Sequence, residues 1–252
     1  MVTGTSPLLL PGNQLSDKLR DVSWTKVVLT ASFSLVGGYV DTNMNIRFGT
    51  YGGFMSGNIV QMSIAIQGCD ILSFSLYLAV ILCFEVGVIL GSSLLGVLSR
   101  ADSSGCPGIP WWVWLLEGVM MVSTLIACDV TSQVLGGDAV AGMQFASTIV
   151  AISMGIQNTC TVESKLKQNT TIVTGNMQKL GVFVSHRISG KKLSRDDGHT
   201  CIQLALGLFC YIIGCILGAS AAKGFGAYTL MPAAIAQGLT MATLAFSYRG
   251  AA

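Results

Sequence analysis

The sequence predicts an all-α, polytopic membrane protein with six transmembrane helices and two short half helices. Of its 252 residues, 52% are hydrophobic and only 10% are charged, whereas about 25% of the residues in soluble globular chains are charged. The mean hydropathy is +0.66. So much apolar surface requires lipid as its solvent. The 30 glycines favour the same class, because glycine lets membrane helices approach closely.

Six apolar stretches are long enough to cross a bilayer, which takes about 20 helical residues. They cover 22–39, 72–98, 111–128, 139–157, 202–222 and 228–248. The preceding stretch, 1–21, lacks the long apolar core of a signal peptide and is predicted to be a cytoplasmic tail. Two more apolar stretches, 54–66 and 172–184, are too short to span and are predicted to be half or re-entrant helices.

The basic residues predict the orientation, because cytoplasmic loops are enriched in Lys and Arg. With six spans and a cytoplasmic N-terminus, only Arg47 and Lys223 fall outside, together with a loop that holds Asp129 and Asp138. We therefore predict a multi-pass protein with both termini in the cytoplasm, and favour the plasma membrane over an organelle membrane. The residues on the cytoplasmic side are Lys18, Arg20, Lys26, Arg100, Lys165, Lys167, Lys179, Arg187, Lys191, Lys192, Arg195 and Arg249.

The two halves of the single membrane domain, 22–128 and 139–248, resemble each other. The order of the matching segments is the same in both halves, and each half contains three spans and one half helix. An odd number of spans turns the second half upside down, which predicts inverted repeats. The matches are "GYVDT" (38–42) with "GIQNT" (155–159), "GVILGSS" (87–93) with "GCILGAS" (214–220), and "EGVMM" (117–121) with "QGLTM" (237–241). The GxxxG pairs in the second match predict helix–helix contacts.

A Ser/Thr-Gly-Asn triplet begins each short helix and is the predicted substrate-binding element. A half helix that starts inside the membrane directs free N–H groups and the positive end of its dipole at an anion, a carboxylate or a polar neutral solute. Two inverted copies are expected to bring both starts to one central place. The alternative is a pair of structural caps with glycine for close packing. The predicted residues are Ser56, Gly57, Asn58, Thr174, Gly175 and Asn176.

Three carboxylates within or beside the spans are predicted to couple transport to an ion. Asp41 ends the first span, and its counterpart in the second half is the neutral Asn158. Glu117 and Glu85 lie in the middle of spans, where an ionisable residue is costly and usually functional. The alternatives are a loop cap for Asp41 and a single interhelical hydrogen bond for each protonated glutamic acid.

No enzyme is predicted. The sequence contains no Walker loop, dinucleotide fingerprint, nucleophile triad or metal-ligand spacing. The eight cysteines form no CxxC pair and are interpreted as small packing residues. We therefore expect no cofactor, no bound metal and no nucleic-acid partner.

The stretch "LVGGYVDTNMNIRFGTYGGFMSGNIVQMSIAI" resembles the YoaK-like family of integral membrane proteins, whose shared domain is known only as domain of unknown function 1275. Gly38, Asp41, Gly57 and Asn58 match the family pattern, while Ser56 replaces its usual Thr. The later "TTIVTGNMQKLG" is similar to the second Thr-Gly element of the family. The resemblance implies a polytopic membrane protein and names no substrate.

The sequence favours a secondary transporter that moves a small polar or anionic solute, coupled to protons or sodium. Aquaporin-like channels also pair two Asn-bearing half helices, so a solute channel or facilitator is the first alternative. A non-transporting membrane scaffold is the second alternative. The expected partners are the lipid bilayer and the solute, and the sequence allows a homo-oligomer.

Overall fold

The computed structural model describes residues 12–101, 111–134, 140–163, 173–190, 195–224 and 228–249. In these ranges the chain forms eight α-helices and no strand, as the predicted all-α class requires. The helices are α1 (Gly12–Phe48), α2 (Met55–Gln67), α3 (Ile71–Ala101), α4 (Trp111–Val134), α5 (Val140–Glu163), α6 (Val173–Ile188), α7 (Arg195–Gly224) and α8 (Met231–Arg249).

Several helices extend beyond the predicted stretches: α1 to Phe48, α5 to Glu163, and α7 back to Arg195. Helix α1 begins at Gly12, within the predicted tail 1–21. Helix α4 continues to Val134, so that Asp129 lies within a helix and the prediction that it lies in an external loop was wrong. The sequence prediction ended this span at 128 because the residues that follow are polar. Asp129 is buried and paired with Arg47, so the helix can continue past it. The neighbouring Asp138 lies outside the described residues.

Three helical segments in the described ranges are long and apolar enough to cross a membrane by length and composition. They are Ile71–Ser93 in α3, Phe145–Val162 in α5 and Asp197–Gly224 in α7. A shorter apolar segment, Gly118–Thr131, lies in α4. Each of the three long segments exceeds or approaches the length that a bilayer core requires.

Helices α1 and α7 touch backbone to backbone at glycines. A Cβ added to Gly214 would overlap the carbonyl oxygen of Leu35, and one added to Gly218 would overlap that of Tyr39. In the opposite direction, a Cβ on Gly38 would meet the backbone of α7. Because the contacts advance along both helices together, α1 and α7 run parallel.

Helices α3 and α5 repeat this arrangement with the glycines that the sequence match paired. A Cβ on Gly87 would overlap the carbonyl oxygen of Ile152, and one on Gly91 would lie 3.3 Å from the Cα atom of Ile156. A Cβ on Gly155 would meet the backbone of α3 in return. These helices are therefore also parallel, and the predicted contacts of the GxxxG glycines are confirmed.

The loop before α2 and the start of α3 both lie near the C-terminal end of α1. Gly49 ends α1 with a left-handed φ of +70°, which favours glycine. A Cβ on Gly49 would lie 3.7 Å from the Tyr77 hydroxyl near the start of α3. Towards its other end, α3 contributes Leu95 to an apolar cluster with Phe33 of α1. Helix α3 therefore runs antiparallel to α1, and the chain enters and leaves α2 at the same end of the helix bundle.

Asp70 caps the start of α3. Its carboxylate accepts hydrogen bonds from the Ser73 hydroxyl at 2.6 Å and the Ser73 N–H at 3.1 Å. These bonds, the hydroxyl bond first, hold the pKa of Asp70 below its usual value. The cap satisfies backbone donors that a helix start otherwise leaves free.

Contacts between helices have the same pattern in both halves. Let α1, α2, α3 and α4 of the first half correspond to α5, α6, α7 and α8 of the second. The contact α1/α7 then corresponds to α5/α3, α1/α8 to α5/α4, and α2/α3 to α6/α7. The contacts α4/α8 and α1/α5 each join two corresponding helices. Every helix pair that is in contact among the described residues thus has a counterpart that is also in contact.

Two clusters of buried apolar side chains form the interior. The second core cluster is small and comprises Leu29, Phe33, Leu95, Ile156, Cys160 and Met241. The first core cluster comprises Val36, Tyr39, Val40, Met44, Phe48, Val80, Phe84, Met121, Leu125, Cys128, Ala146, Val150, Ala151, Met154, Ala221, Leu230, Ala233 and Ala234. Both clusters draw on helices from the two halves of the chain.

We expect Gly38→Ala to destabilise the fold, because the added methyl group would overlap backbone atoms of α7 that cannot rotate away. Overpacking of this kind costs about 1–3 kcal/mol. Gly181→Ala is the matched control, because a Cβ there has no neighbour within 4 Å and alanine favours the helix. Thermal unfolding in detergent measures both, and an unchanged midpoint for Gly38→Ala would contradict the close contact.

Candidate functional site

Asp41 is a buried carboxylate that joins three elements. Its Oδ1 atom accepts hydrogen bonds from the N–H groups of Gly53 at 2.6 Å and Phe54 at 3.3 Å. Its Oδ2 atom accepts a hydrogen bond from the Tyr211 hydroxyl of α7 at 3.0 Å. With only 1% of its surface exposed, the carboxylate links α1, the loop before α2, and α7.

Asn58 closes the loop between α1 and α2. Its Nδ2 atom donates to the carbonyl oxygen of Tyr51 at 2.8 Å, and its Oδ1 atom accepts from the Tyr51 N–H at 2.9 Å. Both ends of the buried amide are therefore used within its own loop. Gly57 leaves room for this turn, because a Cβ there would lie 2.7 Å from the rings of Tyr51 and Phe54.

The two triplets lie in the first turns of α2 and α6 rather than at their N-caps. Helix α2 begins at Met55 after the N-cap residue Phe54, which makes no side-chain cap bond, and Ser56 is exposed. Helix α6 begins at Val173, so that 174–176 also lie in its first turn, with Asn176 half-buried. The side chain of Thr174 lies outside the described side chains.

The two short helices that carry the triplets pack separately. In the described part of the chain, α2 packs on α3 and α6 packs on α7, and the two short helices do not contact each other. That both starts face one central place stays a prediction.

A buried ion pair joins α1 to α4, and sequence reasoning missed it. The Nη1 atom of Arg47 lies 2.5 Å from Oδ1 of Asp129, whose side chain is 1% exposed. The other oxygen, Oδ2, accepts the N–H of Leu230 at 2.8 Å, just before α8. Arg47 also donates to the Thr229 hydroxyl at 2.6 Å, which in turn donates to Asn43. The signal in the sequence was that Arg47 and Asp129 were both predicted on the outer side.

Of the two predicted mid-span carboxylates, Glu85 alone has a described side chain. Glu85 lies on the exposed face of α3, away from the bundle interior. Glu117 lies in α4, but its side chain is outside the described side chains. Asp41 is thus found within a buried polar network, Glu85 is not, and the role of Glu117 stays a prediction.

Three buried polar side chains have no hydrogen-bond partner among the described residues. They are the hydroxyl of Ser153 and both amide atoms of Gln157 and Gln237. The two glutamines are 0% exposed. Native proteins leave few buried polar groups unpaired, so each such group needs an explanation, such as a bound water or ligand.

Along their helices, the two glutamines lie between members of the two core clusters. On α8, Gln237 follows Ala234 of the first core cluster by one turn and precedes Met241 of the second by one turn. On α5, Gln157 stands between Met154 of the first cluster and Cys160 of the second. Ser153 lies one turn before Gln157 on the same face of α5. We call these three residues the glutamine layer.

No group of three or more His, Cys, Asp or Glu side chains that could hold a metal ion occurs in the described ranges. The ion pair and Asp41 are instead satisfied by neighbouring protein groups.

We expect Arg47→Met to lower stability by about 3–5 kcal/mol, because it leaves Asp129 as a buried, unpaired charge. The double variant Arg47→Met with Asp129→Leu should cost less than the sum of the single variants. Lys179→Met, at an exposed position on α6, is the control and should change stability by less than about 0.5 kcal/mol. Additive effects in a double-mutant cycle would show that the pair is not energetically coupled.

Comparison with known proteins agrees with the resemblance of the motif around Asp41. A family model described as "Protein of unknown function (DUF1275)" matches residues 29–243, which span α1 to α8. No curated protein and no solved structure matches the chain. Because the match covers most of its length, the chain belongs to the DUF1275 family of proteins of unknown function.

Proposed function

We propose that this protein is a secondary transporter for a small polar solute. The observation that carries the proposal is the glutamine layer, in which fully buried amides have no hydrogen-bond partner among the described residues. A buried polar group without a partner costs about 1–3 kcal/mol, and polar groups inside a membrane protein commonly mark a solute path. A solute with hydrogen-bond donors and acceptors would satisfy these amides.

The helix directions support a six-span, inverted-repeat architecture. Helix α3 runs back along α1, and α5 runs parallel to α3. It follows that α5 runs opposite to its counterpart α1, as inverted halves require. The shared pattern of helix contacts in the two halves points the same way.

The proposed orientation puts both termini in the cytoplasm, with the plasma membrane as the proposed location. The end of α1, the end of α4 and the start of α8 then lie on the outer side. The ion pair of Arg47 with Asp129, and the bond from Leu230 to Asp129, are consistent with this because they join those three ends.

The solute that fits the glutamine layer is neutral rather than anionic. Carboxamides offer donors and acceptors without charge. Arg47 is the cation in the described buried hydrogen-bond networks, and Asp129 already neutralises it. The N–H groups of Gly53 and Phe54, which an anion could bind, already bond to the carboxylate of Asp41. We therefore narrow the solute class to small, neutral, hydrogen-bonding molecules.

Replacing Gln157 or Gln237 by Leu should make the empty protein more stable by about 1–3 kcal/mol, because a partnerless buried amide is removed. The same variants should lose stabilisation by solute, which in the wild type raises the unfolding midpoint through binding to the native state. The measurement is thermal unfolding in detergent against urea, acetamide and glycerol, with nitrate and acetate as anionic comparators. Gln133→Leu, at an exposed position on α4, is the matched control.

Three outcomes separate the alternatives. A rise of the unfolding midpoint with neutral solutes that Gln157→Leu abolishes supports the proposal. A rise with anions only would indicate that the solute binds at the starts of α2 and α6 instead. The variant pair Asn58→Ala and Asn176→Ala tests that second site, which remains a prediction. No shift with any solute would favour a membrane scaffold, a role that suits Asn58 because both ends of its amide bond within its own loop.

Asp41→Asn should preserve the fold but remove ion coupling. An asparagine can accept the bonds from Gly53 and Phe54 through its oxygen and donate to Tyr211 through its nitrogen. We expect an unfolding midpoint within about 3 °C of the wild type, the shift that about 1 kcal/mol produces in a chain of this size. Uptake of the solute into proteoliposomes should become independent of the proton or sodium gradient.

Asp41→Ala is the structural comparison, because it removes all three acceptor interactions and should lower the midpoint. If the wild type takes up solute without any dependence on either gradient, the protein is a channel or facilitator rather than a coupled transporter. If Asp41→Asn keeps the full gradient dependence, another residue couples the ion.

A further inference from the structure

The outer face of α3 carries a regular row of exposed residues. Leu78, Leu82, Glu85, Ile89, Ser92 and Gly96 are all exposed and follow each other in alternating steps of four and three residues. This 3.5-residue spacing is the pattern by which one helix packs along another. We call this row the α3 seam.

Glu85 makes the α3 seam unsuitable for lipid. It lies within the apolar segment Ile71–Ser93, and its exposed neighbours on the seam, Leu82 and Ile89, have 55% and 62% of their surface free. In the described part of the chain no hydrogen bond or ion pair involves the Glu85 side chain. A carboxyl group at such depth faces a protein partner or water rather than acyl chains.

The corresponding face of α7 provides an internal comparison. In the matched sequence segments, Glu85 of α3 corresponds to Ile212 of α7, which is 49% exposed. Its exposed neighbours Phe209 and Ile216 are also apolar. The two halves therefore share the helix packing but differ on their outer faces, since that of α7 suits lipid and the α3 seam contains a carboxyl group.

We propose that the α3 seam is the interface of a homodimer, in which Glu85 of each copy hydrogen-bonds to Glu85 of the partner subunit across a two-fold axis. A protonated carboxyl group has one donor and one acceptor, so it is complementary to a second copy of itself. A two-fold interface places the same residue on both sides. A Cβ on Gly96 would have no described neighbour within 4 Å, so there is space beside this position for a second α3 helix. Because glycine has no side chain, the two helices can approach closely there. This inference does not depend on the proposed transport function.

The test is the oligomeric state of labelled, full-length protein in liposomes, measured by single-molecule photobleaching over a series of protein-to-lipid ratios. The wild type should become dimeric as its density rises. Glu85→Ile, which copies the α7 face, should weaken dimerisation about tenfold, the combined effect of two reciprocal interhelical hydrogen bonds in a membrane. Glu85→Gln should stay within about threefold of the wild type, because an amide pair also hydrogen-bonds across a two-fold axis.

Two further variants make the result specific to the seam. Gly96→Leu should weaken dimerisation by filling the close contact, whereas Ile212→Ala on the α7 face should leave it unchanged. Glu85→Ile exposes only an apolar side chain to lipid, so helix content by circular dichroism should match the wild type. A wild type that is monomeric at every density, or Glu85→Ile and Gly96→Leu variants that dimerise like the wild type, would overturn the proposal.

Discussion

Direct backbone contact between parallel helices is the constraint on which the rest of the structure depends. Gly38 and Gly214 let α1 and α7 touch, and Gly87 and Gly155 do the same for α3 and α5. In lipid, helices gain little from hiding apolar side chains from one another, so close van der Waals packing has to hold them together. The glycine pairs also fix the register, which brings Tyr211 to Asp41 and the end of α1 to the end of α4 and the start of α8.

Buried polar groups in this protein fall into two kinds. Asp41, Asn58, Arg47 and Asp129 satisfy one another or nearby backbone groups, and they join helices and loops. The glutamine layer differs, because its amides have no partner in the part of the chain that the structure describes. The bonds of the first kind hold helices and loops together, whereas no such bond is described for the second kind, which costs stability in the way that is typical of functional positions.

Much of the helical plan was predictable from the sequence, because apolar length and glycine spacing are local signals. The order of the eight helices and the contacts of Gly87 and Gly214 follow from such signals. The sequence placed Arg47 and Asp129 on the same side but could not pair them, because they are far apart along the chain. The glutamine layer was not predictable either, since the sequence match paired Gln237 with Glu117 but did not indicate that its amide would have no partner among the described residues.

The loop role of Asn58 was missed for a different reason. The Ser/Thr-Gly-Asn pattern suggested helix caps, but Asn58 bonds backward to Tyr51, and the carboxylate of Asp41 takes the N–H groups at the helix start. Local propensity favours several such arrangements. Which of them forms depends on Asp41, whose depth in the bundle is fixed by the packing of α1 against α7.

The sequence separation of these bonds has a consequence for how the chain is made. Helix α1 is synthesised early, but the helix it packs against most closely, α7, is synthesised much later. Asp41 can meanwhile bond to Gly53 and Phe54, which follow it by only 12 and 13 residues. Its bond to Tyr211, 170 residues away, comes last. The loop before α2 thus supplies hydrogen-bond donors to the Asp41 carboxylate before α7 has been synthesised, and these bonds persist in the folded protein.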